Sequence, residues 1–212
     1  MLQSMNKTIN DNTRNLLFDL GGVIMDIRRE NCVKALTDLG MEGADEMLGL
    51  YCQSGPFLLL EEGKISAEAF RKEIRSRCTT NPSDDEIDAA FNAFLIGIPT
   101  ARLRALQELR KHYRIYMLSN TNPIMFDSKI RAEFQKDGYQ REDYFDGICV
   151  SYEEKCAKPE AQIFANLIKK FDIEPKETVF FDDSQKNLDA AAAFGFQTYL
   201  VAPGTEFIEA FK

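Results

Sequence analysis

From residue 100 onward, short apolar runs alternate with longer stretches whose apolar residues recur every three or four positions. Runs of this kind, rich in β-branched and aromatic side chains, are typical of strands buried on both faces. The strands predicted there cover residues 115–118, 148–150, 178–181 and 198–201, and a further apolar run at residues 16–18 predicts a first strand near the start of the chain. Ile163, Phe164 and Leu167 have the spacing of a helix with one buried face, and Pro159 suits the first turn of that helix. Strands that alternate with helices predict right-handed crossovers and a mainly parallel sheet.

Residues 28–99 have a different pattern, with helix signals and almost no strand signal. Gly40 is placed to end a first helix, and Ser66 is placed to cap a later one. Ser83 and Glu86 match a capping box before another amphipathic run. The prediction is an α/β core made of residues 15–27 and 100–212, an all-helical cap at 28–99, and an N-terminal leader at 1–14.

Length, composition and net charge limit the classes of protein to which the chain can belong. The chain has 212 residues, 44% of them hydrophobic, which is enough for one domain with an insert. No segment approaches the ~20 apolar residues of a membrane span, and residues 1–14 are polar, so neither a membrane anchor nor an export signal is expected. The net charge of −8 comes without a basic stripe, which argues against a nucleic-acid partner. The oligomeric state stays open.

The cysteines indicate a cellular compartment. Five cysteines without a C-x-x-C spacing predict reduced thiols in a cytoplasmic protein. Cys149 falls in an apolar run and is expected to pack as a small hydrophobic residue. Cys156, close to Lys158, is either a reactive thiol or an ordinary small side chain.

Four short polar segments, far apart in the chain, each follow an apolar run or begin a turn. In an open α/β sheet such positions are the carboxyl ends of strands, where ligands bind. An acid, a hydroxyl, a lysine and a pair of acids in this order suit the binding of a phosphoryl group beside a divalent metal. The segments are Phe18-Asp19-Leu20-Gly21-Gly22, Leu118-Ser119-Asn120-Thr121, Lys158-Pro159, and Phe180-Phe181-Asp182-Asp183 with Asn187 beyond.

The acids of these segments have a chemical and an ordinary interpretation. Asp19 is a candidate nucleophile, because a carboxylate can attack phosphorus and divide one displacement into two, but it could equally cap a turn. The adjacent Asp182 and Asp183 would repel each other unless a cation such as Mg²⁺ neutralises them. Their alternative role is to cap the following helix.

The remaining segments are open to the same two interpretations. Ser119 and Asn120 offer a hydroxyl and backbone N–H groups to an anion, or they simply cap a turn. Lys158 can hold a phosphoryl oxygen and shield Asp19 from the phosphate's charge, although most loop lysines are solvated. The single histidine, His112, lies at a predicted helix-to-strand junction, so no Ser-His-Asp hydrolase can be assembled around it.

Taken together and in this order, the four segments resemble the haloacid dehalogenase superfamily of phosphohydrolases, over essentially the whole chain after residue 14. Within the superfamily, the motifs look most like the bacterial sugar-phosphatase branch, which includes α-glucose-1-phosphate phosphatases. The resemblance implies a Rossmann-like core, a helical cap, and hydrolysis of a small phosphorylated metabolite through an aspartyl-phosphate intermediate on Asp19. It also implies Mg²⁺ as cofactor.

The resemblance further assigns a role to each residue of the four segments. The implied roles are nucleophile for Asp19; metal ligands for Asp19, the Gly21 carbonyl and Asp183; phosphoryl binding for Ser119, Asn120 and Lys158; and support of the site for Asp182 and Asn187.

One position departs from the superfamily pattern. Most of its phosphatases carry a general acid–base aspartate two residues after the nucleophile, where this chain has Gly21. Losing a general acid typically costs ~10²–10⁴ in rate. The loss is least when the leaving group is good, which favours esters such as a hexose 1-phosphate. Asp26, Glu61 and Glu62 are candidate replacements, and nothing in the sequence favours one of them.

Other functions stay open. A 2-haloacid dehalogenase needs neither acid nor metal, but the paired acids Asp182 and Asp183 and the absence of Trp argue against it. Gly21 would suit a non-catalytic binding or regulatory protein, whereas the retained nucleophile, lysine and acids argue for catalysis. A phosphomutase would need the missing acid to return phosphate to a sugar hydroxyl.

Overall fold

The computed structural model describes residues 9–49 and 53–211 and contains two sheets within them. The strands are β1 (Asn15–Phe18), β2 (Asp26–Ile27), β3 (Leu95–Gly97), β4 (Arg114–Ser119), β5 (Gly147–Val150), β6 (Thr178–Asp182) and β7 (Gln197–Leu200). Five of them form a parallel sheet in the order β5-β4-β1-β6-β7. The other two, β2 and β3, pair as an antiparallel ribbon.

Helices connect the strands and cover the sheet. The α-helices are α1 (Arg29–Asp38), α2 (Ala44–Met47), α3 (Gly55–Glu61), α4 (Ala67–Arg77), α5 (Asp84–Asn92), α6 (Thr100–Leu109), α7 (Pro123–Met125), α8 (Arg131–Phe134), α9 (Ser151–Glu154), α10 (Ala161–Phe171) and α11 (Gln185–Ala192). A π-helical segment, Phe126–Ile130, joins α7 to α8. The 3₁₀ segments are Gln135–Asp137, Arg141–Tyr144, Pro175–Glu177 and Phe207–Phe211. None of the helices in the described residues is long and apolar enough to cross a bilayer.

The central strands are buried on both faces, as their continuous apolar runs predict. Alternate residues of β1 enter different cores: Phe18 packs on one side of the sheet, and Leu17 packs on the other with Phe180 of β6. Phe18 stacks on Phe181 across the β1–β6 pair, with ring centroids 4.7 Å apart. Helices on both faces of a parallel sheet confirm the predicted α/β class with a Rossmann-like core.

Helices α1 to α5 lie in the insert (residues 28–99). Phe57, Phe70 and Phe91 pack together there, with ring centroids 5.0 to 5.4 Å apart. Ser66 caps α4 by accepting a hydrogen bond from the backbone N–H of Ala69. Ser83 caps α5 in the predicted capping box. The helices that the sequence predicts from these caps are therefore present.

Two local predictions are wrong. The insert is not all-helical, because Leu95–Gly97 pairs with β2; strands of two and three residues are too short for a recognisable alternation. Pro159 lies outside α10, which begins at Ala161. The reason is that Asn120 binds the backbone N–H and C=O of Lys158, which holds the chain in a turn before the helix can start.

Part of the predicted leader and one cysteine lie outside the described residues, namely residues 1–8 and Cys52. Residues 9–14 are attached to the core rather than loose. Thr13 is buried, and the Arg14 N–H donates to the Glu177 carbonyl at 2.8 Å.

Candidate active site

The carboxyl ends of three neighbouring strands bring the predicted segments together. Asp19 follows β1, Ser119 ends β4, and Asp182 ends β6, and β1 lies between the other two. Strand order reverses around β1, which is where open α/β sheets bind ligands. One cavity at this edge is lined by Asp19, Gly21, Ser119, Asn120, Lys158, Asp183 and Asn187.

Lys158 is the buried cation of the site. Its ammonium lies 2.9 Å from Oδ1 of Asp19 and 2.8 Å from Oδ2 of Asp182. Burial opposes its charge, but the carboxylates of Asp182 and Asp19 more than compensate, so the pKa of Lys158 is raised. The side chain therefore stays an ammonium and is fixed in place beside Asp19.

Asp182 is fully buried, and both of its carboxylate oxygens accept hydrogen bonds from other groups of the protein. Oδ1 accepts hydrogen bonds from the Ser184 N–H at 2.8 Å and from Nδ2 of Asn187 at 3.0 Å, and Oδ2 binds Lys158. An acid saturated in this way orients its neighbours instead of binding a ligand. Asp182 therefore lies behind the cavity wall, and Asn187, which lines the cavity, holds it in place; their supporting role stays a prediction.

Three carboxylates lie close together here, and because the oxygens of Asp182 are already hydrogen-bonded, Asp19 and Asp183 are the two that can bind a cation. Single oxygens of Asp19, Asp182 and Asp183 all lie within 4.8 Å of one another. Burial raises the pKa of Asp19 to about 7 and that of Asp183 to about 6, and the neighbouring acids add to both shifts against the opposing charge of Lys158. Without a cation, the protein therefore disfavours the ionised form of both acids. A divalent cation that prefers oxygen ligands, such as Mg²⁺, removes that cost. The donor set fits Mg²⁺.

Gly22 makes room for Asp183. Its φ of +75° lies in the left-handed region that favours glycine. A Cβ at Gly22 would lie 2.2 Å from Oδ2 of Asp183, closer than any real contact. The second glycine of the segment after β1 is therefore needed for the observed position of the Asp183 carboxylate.

The phosphate-binding candidates differ in how their side chains are used. Ser119 is buried and lines the cavity with its neighbours. The side-chain amide of Asn120 is occupied: Nδ2 donates to the Lys158 carbonyl at 2.9 Å, and Oδ1 accepts from the Lys158 N–H at 2.8 Å. Asn120 therefore positions Lys158, and what it can offer an anion is its backbone N–H.

Two residues of the site, Ser151 and Gln53, are not identified by the sequence. Ser151 exchanges hydrogen bonds with both backbone groups of Thr121 at 3.0 Å, which ties the loop after β4 to the start of α9. Gln53 lines the cavity from the insert, as does Glu61, one of the three candidate acids. The sequence around Gln53 and Glu61 carries no motif, so only the packing of the insert against the core shows that both line the cavity.

The structure also shows where two predicted cysteine positions and the single histidine lie. Cys149 is buried, as predicted, and Cys156 is buried as well rather than reactive, because burial and nearby acids raise the pKa of its thiol. His112 is exposed and lines a separate surface depression, so it takes no part in the site.

A parallel α/β sheet whose switch point carries a buried lysine among paired acids is typical of enzymes that act on phosphoryl groups. The family model of the haloacid dehalogenase-like hydrolases matches residues 13–195. The chain therefore belongs to the haloacid dehalogenase-like hydrolases, and the predicted superfamily is confirmed.

Relatives of known structure or activity agree with this. The chain is 37% identical, over 194 residues, to D-ribitol-5-phosphate phosphatase of Bacteroides thetaiotaomicron, covering 92% of this chain and 94% of that one. A crystal structure of a haloacid dehalogenase family enzyme from the same organism, in complex with magnesium and inorganic phosphate, superposes with a TM-score of 0.89 at 40% identity, covering 94% of this chain and all of that one. A predicted hydrolase of this family from Porphyromonas gingivalis superposes with a TM-score of 0.87 at 33% identity, covering 94% and 96%. The predicted enzyme class, a phosphoric monoester hydrolase, is confirmed by the phosphatases among these relatives.

Proposed function

We propose that this protein is a Mg²⁺-dependent phosphatase of small polyol or sugar phosphates, with Asp19 as the nucleophile. One observation carries the proposal. Oδ1 of Asp19 is held by Lys158 at 2.9 Å and by the Leu20 N–H at 2.6 Å, whereas Oδ2 accepts no hydrogen bond from any described residue. A carboxylate that is fixed on one side and free on the other is oriented for attack on phosphorus.

The residues divide the chemistry between them. The free oxygen of Asp19 bonds to phosphorus while the bond to the leaving oxygen breaks, and water then releases phosphate from the aspartyl-phosphate. Lys158 keeps its charge next to the reacting atoms and Ser119 offers a hydroxyl, so both favour the negative phosphoryl oxygens. Asp19, the Gly21 carbonyl and Asp183 would hold Mg²⁺, which supplies further neutralisation of charge on the phosphoryl group.

The relatives and the cavity support the proposed substrate class. D-ribitol 5-phosphate, named for the relative from Bacteroides, is the ester of a primary alcohol with several free hydroxyl groups. In this chain, Gln53 and Glu61 bring polar groups to a cavity wall that is otherwise apolar, with Leu48 and Phe91 from the insert. A phosphorylated polyol matches such a wall. A hexose 1-phosphate is the second candidate, because Gly21 provides no acid for a poor leaving group.

The proposal is tested by phosphatase assays on pentitol 5-phosphates and hexose 1-phosphates, with Mg²⁺ or EDTA. We expect Mg²⁺-dependent release of phosphate that disappears in Asp19→Asn. Asp26→Asn is the matched control, since Asp26 pairs with Arg102 at 2.8 Å and lies outside the cavity. Absence of Mg²⁺-dependent phosphate release from every ester would refute the proposal. Chloride release from 2-chloropropionate that persists in EDTA would support a dehalogenase instead.

A further inference from the structure

Three acids could replace the one that Gly21 lacks, and only one of them lines the cavity. Glu61 is the last residue of α3 and forms part of the wall shared with Asp19 and Lys158. Its carboxylate makes no hydrogen bond or ion pair with any residue in the described part of the chain. Glu61 thus presents an acid to the cavity that the fold of the insert does not otherwise use.

The two other acids are engaged elsewhere. Asp26 binds Arg102 at 2.8 Å, and its side chain is about half exposed outside the cavity. Glu62 is buried, binds Nζ of Lys64 at 2.7 Å and does not line the cavity. Neither acid is free to exchange a proton with a substrate held beside Asp19.

The turn after α3 is fixed to the core, which sets the position of Glu61. Gly63 has a φ of +59°, and a Cβ there would lie 2.0 Å from the Tyr152 carbonyl oxygen, so the two backbones are in close contact. Nζ of Lys155 donates to the Gly63 carbonyl at 2.8 Å. The two contacts join the turn to α9 and to Lys155, the residue after it, and α9 directly follows β5 at the same edge of the sheet as the proposed nucleophile. The insert therefore carries Glu61 to the reacting edge through a defined backbone contact.

We propose that Glu61 is the general acid–base residue of this phosphatase, supplied by the insert in place of the acid missing at Gly21. The assignment rests on the proposed function. As Asp19 bonds to phosphorus, the bond to the alcohol oxygen breaks with its electron pair, and that oxygen takes the proton of Glu61. The resulting Glu61 carboxylate removes a proton from water as the water oxygen attacks phosphorus. Phosphate leaves, and both acids return to their starting state.

The electrostatics of the cavity agree with this role. Burial raises the pKa of Glu61 to about 8, with further contributions from the charges of Glu62 and Asp19 against the opposing charge of Lys158. The carboxyl group therefore holds its proton at neutral pH, as an acid for an alcohol leaving group must.

The test compares Glu61→Gln with the wild type and with Glu62→Gln, on esters that carry no extra hydroxyl groups. A series from ethyl phosphate through phenyl phosphate to p-nitrophenyl phosphate changes the need for a proton and leaves hydroxyl recognition aside. Because kcat/KM reports the step that releases the alcohol, Glu61→Gln should lose ~10²–10⁴ on ethyl phosphate and little on p-nitrophenyl phosphate. Loss of the base should also make the aspartyl-phosphate accumulate, which gives a burst of p-nitrophenol. Glu62→Gln should show no such dependence on the leaving group, because burial, the larger cause, still raises the pKa of Glu61 when the charge of Glu62 is gone.

Two results would overturn the assignment. An equal loss on all three esters would mean that Glu61 only shapes the cavity, and no loss on any of them would mean that it does not act at all. Failure of the proposed function is distinguishable from both, because the wild type itself would then show no Mg²⁺-dependent hydrolysis of p-nitrophenyl phosphate.

Discussion

Gly22→Ala is the substitution whose effect the structure predicts most sharply. Gly22 has a φ of +75°, a conformation that costs a residue with a Cβ roughly 1–2 kcal/mol. The new methyl group would also lie 2.2 Å from Oδ2 and 2.8 Å from Cγ of Asp183. One small change should therefore act both on the backbone and on Asp183, the proposed metal ligand.

The size of the effect on activity follows from the clash. Ordinary contacts of a Cβ begin near 3.4 Å, so the Asp183 carboxylate has to retreat by more than an ångström. A displacement of that size in a catalytic site can cost about 10²-fold in rate, equivalent to about 2.7 kcal/mol of activation free energy. We expect Gly22→Ala to lose about 10²-fold in kcat/KM and to need more Mg²⁺ for half-maximal activity.

Gly138→Ala is the matched control. Gly138 has a φ of +85°, but nothing lies within 4 Å of a Cβ built there, so the control shares the backbone cost without the clash. The measurements are kcat/KM as a function of Mg²⁺ concentration and the free energy of unfolding for both variants. In metal-free buffer Gly22→Ala should lose at least as much stability as Gly138→Ala, which should keep wild-type activity. If Gly22→Ala kept wild-type activity and Mg²⁺ dependence, Asp183 could not be at the metal site.

Three further predictions concern the surroundings of the site. Asn120→Ala removes both hydrogen bonds to the backbone of Lys158 and should lower kcat/KM roughly 10–100-fold in a folded protein, as judged by circular dichroism; unchanged kinetics would contradict the positioning role. The pKa values of Asp19 and Asp183 are raised from 3.8 to about 7 and about 6, so the stability of the metal-free protein should fall as pH rises from about 4 to about 7. Mg²⁺ should therefore raise the Tm more at pH 8 than at pH 5, and an equal rise at both would count against the carboxylate site. Arg102→Met removes the hydrogen bonds that the buried guanidinium donates to Asp26 and Glu206. It should lower the free energy of unfolding, measured by urea titration, by about 1–3 kcal/mol and leave kcat/KM unchanged.

The core of the fold could be predicted because its strands are buried on both faces. Continuous apolar runs such as β6 identify strands without any knowledge of their neighbours, and the side chains that follow them must meet at one edge of a parallel sheet. The same logic located Asp19, Ser119 and Asp182 from the sequence. Helix α5 was predictable for a local reason, since Ser83 and Glu86 satisfy each other's backbone groups.

What could not be predicted depends on contacts between distant segments. The ribbon of β2 and β3 exists only as a pair, and neither strand has a pattern of its own. The choice of Glu61 over its neighbour Glu62 follows from the backbone contact between Gly63 and Tyr152, which no local rule reveals. The displacement of Pro159 from α10 has the same origin, because the amide of Asn120 comes from another strand end.

A crystal structure of the protein with Mg²⁺ and beryllium fluoride would show whether an oxygen of Asp19 bonds to phosphorus while Asp19 and Asp183 hold Mg²⁺. The beryllium group mimics a phosphoryl group on a carboxylate. We expect beryllium bonded to Asp19, with its fluorine atoms near Lys158 and Ser119 and the metal bound by Asp183. Beryllium fluoride and metal bound away from these carboxylates would refute the proposed roles of both acids.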